Sequence, residues 1–126
     1  MKPMKAYICS PLSAPTAEGI RRNMEAARWY MQTVSKLWDC RAVAPHAYLP
    51  EFLDDKDEQE LALVFGLAYL GTCDRLVICG RRITKGMLGE IEHAAAHEIP
   101  IFWIQEDYSP RRRSIGKIEY EEIRGW

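Results

Sequence analysis

The chain is 126 residues long, 48% hydrophobic and 28% charged, with a formal net charge of −1. That length is enough to bury one core, and the balance excludes a disordered or collagen-like chain. The near-zero charge supplies no global field toward a nucleic-acid polymer or a membrane surface, and no apolar run reaches the roughly 20 residues of a membrane helix. The opening Met1-Lys2-Pro3-Met4-Lys5, followed by Ala6 to Cys9, is too short an apolar stretch for a signal peptide. Cys9, Cys40, Cys73 and Cys79 form neither a C-x-x-C pair nor a metal-ligand spacing. A reduced, cytoplasmic setting without zinc or a disulfide framework is therefore expected.

Lys5 to Cys9 is a short apolar run stopped by Ser10-Pro11, and reads as a buried first strand. After the turn-rich Ser13-Ala14-Pro15-Thr16, residues Ile20, Met24, Ala27, Met31, Val34 and Trp38 recur at steps of four and three. They form one stripe of a helix, with Thr16 as N-cap and Glu18 in its first turn. Arg41 to Ala44 is a second strand, ended by Pro45-His46. The stretch 47–56, with Pro50, Asp54 and Asp55, reads as an active-site loop. Asp55 and Glu58 make a capping box for a second helix over about 56–71. That helix is apolar almost all round from Leu61 to Leu70, more than one sheet face covers, which predicts burial against another subunit.

Arg75 to Cys79 is the third strand, and Gly80-Arg81-Arg82 follows it. A third helix over about 85–97 brings Met87, Ile91, Ala94 and Ala95 to one side, and Pro100 to Ile104 is the fourth strand. The tail, 105–126, carries Pro110 and Arg111-Arg112-Arg113, and its stretch 117–123 reads as a short strand or a helix. No repeat or linker divides the chain, so one domain with a core over about 5–104 is expected. The order β-α-β-α-β-α-β predicts a parallel sheet between helices, a Rossmann-like or flavodoxin-like three-layer α/β/α fold. Ligands in such sheets bind at the carboxyl ends of the strands, which singles out Ser10, His46, Arg81, Arg82 and Thr84.

The stretch Gly80-Arg81-Arg82-Ile83-Thr84-Lys85-Gly86-Met87-Leu88-Gly89-Glu90 joins a strand end, a basic loop and a glycine-bearing helix start. Glycines let backbone amides approach a ligand, a helix N-terminus attracts anions, and Arg81, Arg82 and Lys85 add phosphate affinity. Glu90 lies about one turn into the helix, where its carboxylate can face the same pocket. The same residues also allow a plainer reading: Thr84 as an N-cap, Glu90 as a solvated acid and the basic residues as wet surface.

Tyr7-Ile8-Cys9-Ser10-Pro11 on the first strand, Ala44-Pro45-His46 after the second, Cys73-Asp74 before the third, and Thr84-x-Gly86-Met87-x-x-Glu90 form an ordered set. In these motifs the chain resembles the nucleoside 2-deoxyribosyltransferase-like superfamily over roughly Lys5 to Trp103, within it the small branch with A-P-H and G-M-x-x-E motifs. The resemblance implies that Glu90 is the catalytic carboxylate that attacks the anomeric carbon, with Tyr7 beside it and Asp74 an acid near the reacting centre. The strand ends and these motifs together give a candidate substrate-binding set of Ser10, Pro11, His46, Arg81, Thr84, Gly86 and Met87. Thr84 stands where transferases of the family carry an aspartate and nucleotide hydrolases a serine that contacts a 5′-phosphate.

That departure, with Arg81, Arg82 and Lys85 nearby, favours cleavage of the N-glycosidic bond of a nucleoside 5′-monophosphate. Three alternatives stand beside it: 2-deoxyribosyl transfer, a sensor that binds a nucleotide without cleaving it, and an interaction protein working through the second helix. Asp74 either protonates the departing base or only caps and orients. His46 stacks on a base, protonates it, or serves as a structural hydrogen-bonder. Tyr7 reads equally as a core aromatic with its hydroxyl tied down, Asp54 and Asp55 as ribose ligands or caps, and Trp29, Trp38, Trp103 and Trp126 as packing residues. A small-molecule nucleoside or nucleotide is the expected partner, with no cofactor or metal, in a homo-oligomer to whose neighbouring pocket Tyr108 or Ser109 reaches.

Overall fold

A computed structural model of the protein describes residues 4–12, 14–47, 64–80, 82–106 and 113–125. The elements are β1 (Lys5–Cys9), α1 (Ala17–Trp38), β2 (Arg41–Val43), a 3-10 turn (Pro45–Ala47), α2 (64–70), β3 (Arg75–Ile78), α3 (Lys85–Ala96), β4 (Ile101–Glu106), β5 (Arg113–Lys117) and α4 (Tyr120–Arg124). The expected alternation of strands and helices is present, and the fold is α/β, with an additional strand and helix after β4.

The start of α1 is set by chemistry visible in the sequence. Thr16 accepts a hydrogen bond from the Gly19 amide at 3.0 Å, satisfying one of the orphan donors of the first turn. Asp39 in the left-handed conformation, φ 48°, ends the helix and turns the chain back. The Arg41 amide then bonds to the Met4 carbonyl at 3.0 Å and opens β2.

The five strands lie in the order β2-β1-β3-β4-β5. β1 pairs in parallel with β2, Tyr7 opposite Val43, and with β3, Tyr7 opposite Leu76. β3 and β4 are also parallel, whereas β5 returns antiparallel along the outer edge of β4. Alternation along β1 divides the core between the two faces. Ala6 and Ile8 join Ala27 and Val34 of α1, while Tyr7 and Cys9 join Leu70, Met87, Ile91 and Ala94 on the side of α2 and α3. Because both faces are covered, β1 reads as a continuous apolar run instead of an alternating one.

Residues 113–124, read from the sequence as a tail with a short strand or helix, contribute both. The Ile118 amide bonds to the Ile101 carbonyl at 3.0 Å, and Ile118 and Ile123 are buried against the α3 side of the core. The apolar character of α2 divides as well: Leu70 is fully buried, whereas Val64 and Phe65 are exposed at 63% and 53%. On the α1 side, Trp38 meets Phe102 edge-on, and the Arg75 guanidinium lies 4.8 Å and 4.9 Å from their two ring centroids.

Leu76 sits in the middle of the sheet with no exposed surface. Leu76→Ala is expected to lower the free energy of unfolding by about 2–5 kcal/mol, measured as a shift of the urea midpoint at unchanged slope.

Candidate active site

β1 and β3 are adjacent, yet the chain leaving β1 enters α1 on one face and the chain leaving β3 enters α3 on the other. This divergence opens a crevice at the carboxyl ends of the two strands, the place where open α/β sheets bind ligands. The two ends are locked together. The Cys79 amide bonds to the Cys9 carbonyl at 2.8 Å, and Gly80 follows at φ +104°, a conformation that side-chain-bearing residues rarely adopt. A Cβ at Gly80 would stand 3.2 Å from Pro11 Cδ and 3.8 Å from the Tyr30 hydroxyl of α1. Ser10 is buried beside this junction.

α3 begins at Thr84, whose hydroxyl accepts from the Met87 amide at 3.3 Å and whose own amide points at Met87 Sδ at 3.4 Å. Thr84 is thus an N-cap, as the plainer reading had it. Met87 is buried in the core, and its carbonyl receives the Cys9 thiol at 3.7 Å. A Cβ built at Gly86 or Gly89 meets nothing within 4 Å among the described residues, so the first turns of α3 are open on that side.

Glu90, in the second turn of α3, turns its carboxylate inward to the β1 residues Tyr7 and Cys9. The Tyr7 hydroxyl hydrogen-bonds the carboxylate, and Oε2 is buried without a partner among the described residues. Burial disfavours the charged form and pushes the acid up to about 7, with the Tyr7 hydrogen bond acting in the opposite direction. The same proximity acts on its neighbours. Tyr7 is held far above the ordinary phenol value by burial and then by Glu90, and the Cys9 thiol is raised by burial and then by Glu90. A buried acceptor without a hydrogen-bond partner costs stability.

The remaining sequence-derived site residues divide clearly. Asp74 lies at the amino end of β3, where Oδ2 accepts from the Lys5 amide at 2.8 Å; it is exposed and stands at the opposite edge from the crevice. Pro11, Thr84, Gly86 and Arg82 are at the crevice end, and the backbone of His46 is in the 3-10 turn that follows β2. Arg81, Asp54, Asp55, Tyr108, Ser109 and Trp126 lie outside the described residues. Cys9 went unassigned by the sequence reading, although strand alternation already put it on the face of Tyr7.

A family model described as a domain of unknown function, DUF7768, matches residues 4–104. The chain belongs to the DUF7768 family. In this DUF7768 protein the matched stretch runs from the residue before β1 into β4, so the crevice and Glu90 fall within it. Among solved structures, the chain is similar to the 2-deoxyribosyltransferase of the psychrotolerant bacterium Bacillus psychrosaccharolyticus. The TM-score is 0.59 at 13% identity, over 79% of this chain and 70% of that one. At this identity the likeness establishes a shared fold. No curated protein matches the chain. Among the described residues, no helix is long and apolar enough to cross a membrane, and no group of three His, Cys, Asp or Glu side chains is placed to hold a metal ion.

The raised pKa of Glu90 has a consequence for stability. The carboxyl is protonated more readily folded than unfolded, so its contribution is fully present below pH 4.5 and is lost as pH rises through about 7. Glu90→Gln removes that loss. Its unfolding free energy is expected to exceed that of the wild type by on the order of 2 kcal/mol at pH 8, with the difference vanishing near pH 4, in denaturation curves at the two pH values.

Proposed function

We propose that the protein cleaves the N-glycosidic bond of a nucleoside 5′-monophosphate, with Glu90 as the nucleophile. The observation that carries this reading is the Oε2 of Glu90, buried beside Tyr7 and without a partner among the described residues. As the bond between C1′ and the base nitrogen breaks, its electron pair leaves with the base and the sugar gains oxocarbenium character. A carboxylate oxygen of Glu90 traps C1′ as a glycosyl ester. Water then attacks C1′, releases the sugar phosphate and a proton, and restores the carboxylate.

Tyr7 orients the attacking group and steadies its charge through the hydrogen bond they share. The departing base requires a proton, and Asp74 stands at the far edge of the sheet. We assign the proton to His46, whose turn follows β2 at the carboxyl edge. The phosphate falls to the open N-terminal turns of α3, where the helix dipole, Arg82 and Lys85 favour an anion. The exposed Val64 and Phe65 on α2 support self-association of the chain into a homo-oligomer.

The second reading is 2-deoxyribosyl transfer, in which a second base takes the place of water. It is favoured by the fold shared with the Bacillus 2-deoxyribosyltransferase. Incubation with ribo- and deoxynucleosides and their monophosphates, with and without an acceptor base, separates the two by chromatography. Free base from monophosphates without acceptor is the expected result. Exchange that strictly requires an acceptor would install the transferase instead.

Glu90→Gln is expected to reduce base release by at least about 10³-fold, and equal release by that variant would overturn the assignment. Attack requires the ionised carboxylate, so the wild-type rate should climb with pH and level off above about 7, with the limb absent from the residual rate of Glu90→Gln.

A further inference from the structure

Gly66 is buried in α2, and a Cβ built on it would stand 3.3 Å from the hydroxyl oxygen of Tyr7. That is tighter than nine in ten real Cβ contacts, so the neighbour must give by a few tenths of an ångström. Glycine weakens a helix interior relative to alanine, so its presence there calls for a reason. Backbone conformation does not supply one, because among the described residues Gly80 is the glycine with positive φ. Nor can α2 easily retreat: Leu70, one turn on, is fully buried, and the Cys73 amide bonds to its carbonyl at 2.9 Å. Tyr7 is equally confined, in a strand paired on both sides. A Cβ at Gly86 or Gly89, by contrast, meets nothing within 4 Å among the described residues.

We propose that Gly66 is a positioning residue: the missing side chain lets α2 lie against the Tyr7 oxygen and so keeps the phenol directed at Glu90. This rests on the reading of Glu90 as the reacting carboxylate. A methyl at position 66 presses on the phenol at the end that meets Glu90, and the phenol escapes by swinging away from the carboxylate. Among the described residues, the titratable groups around Glu90 are Tyr7 and Cys9 of β1, with Cys73, after α2, acting on Tyr7 and Cys79 on Cys9. Of these, Tyr7 is the one whose hydrogen bond favours the charged carboxylate, so loosening it moves Glu90 further toward the neutral form.

The test follows the titration of Glu90 in the full chain by ¹³C NMR of carboxyl-labelled glutamate, the signal being identified by its loss in Glu90→Gln. Tyr7→Phe is expected to raise the midpoint, and Gly66→Ala to raise it in the same direction by about half a pH unit or more. In the Tyr7→Phe background, with no hydroxyl oxygen to press on, Gly66→Ala should add nothing. A merely structural glycine would alter the melting temperature and leave the midpoint in place, and that outcome overturns the proposal. If Gly66→Ala alone does not fold, the Tyr7→Phe/Gly66→Ala chain should fold, since the contact is relieved; its failure to do so also overturns the proposal. Where a substrate is turned over, Gly66→Ala should lower kcat more than it changes KM. Base release with an unmoved midpoint defeats the role of Gly66 alone, whereas a moved midpoint without base release from any substrate defeats the glycosidase reading alone.

Discussion

The structure hangs on β1 being held on both edges, by β2 on one side and β3 on the other, through parallel ladders that only crossover connections can supply. A right-handed crossover from β1 to β2 puts α1 on one face, while the return across β1 to β3 and the further step to β4 put α2 and α3 on the other. The two chains leaving the centre of the sheet must therefore part. The crevice between them is a by-product of handedness and strand order, and it exists before any side chain is chosen to line it.

The core layer below it is chemically unusual for such a place. Tyr7 and Cys9 face the same core layer as Leu70, Met87 and Ile91, and Glu90 is brought to that layer by the amphipathic register of α3. Met87, Ile91 and Ala94 anchor the helix, and Glu90 sits at the margin of their stripe, where a carboxylate is drawn in without being covered by other polar groups. The cost of desolvating it is offset by the apolar packing on either side of the sheet. The Thr84 hydroxyl caps α3, and the Asp74 carboxylate accepts from the Lys5 amide at the amino ends of β1 and β3.

Much of this was legible in the sequence where the cause is local. The Thr16 cap, the stripe from Met24 to Val34 and the apolar β1 each depend on neighbours within a few residues, and each has its expected place. Asp74 was harder to place, because a strand's direction decides which end of the sheet its first residue joins, and the four residues of β3 separate the two ends. The pattern Arg113-Ser114-Ile115-Gly116-Lys117 is equally mute. Its pairing with β4 is antiparallel and at an edge, where strand preference is set by the neighbouring strand more than by the residues themselves. Gly66 was passed over within an apolar helical run because nothing near it in the chain explains it; the phenol it accommodates lies on β1.

By itself, the sequence determined the alternation of strands and helices, the layered α/β class and the candidacy of Glu90, since periodicity, caps and turn residues act over one or two turns of chain. Only the tertiary structure decided that Glu90 meets Tyr7 and Cys9, that Asp74 does not, and that the last residues add an edge strand. These outcomes turn on strand order, register and helix approach, which are properties of distances across the sheet and leave no periodic trace along it.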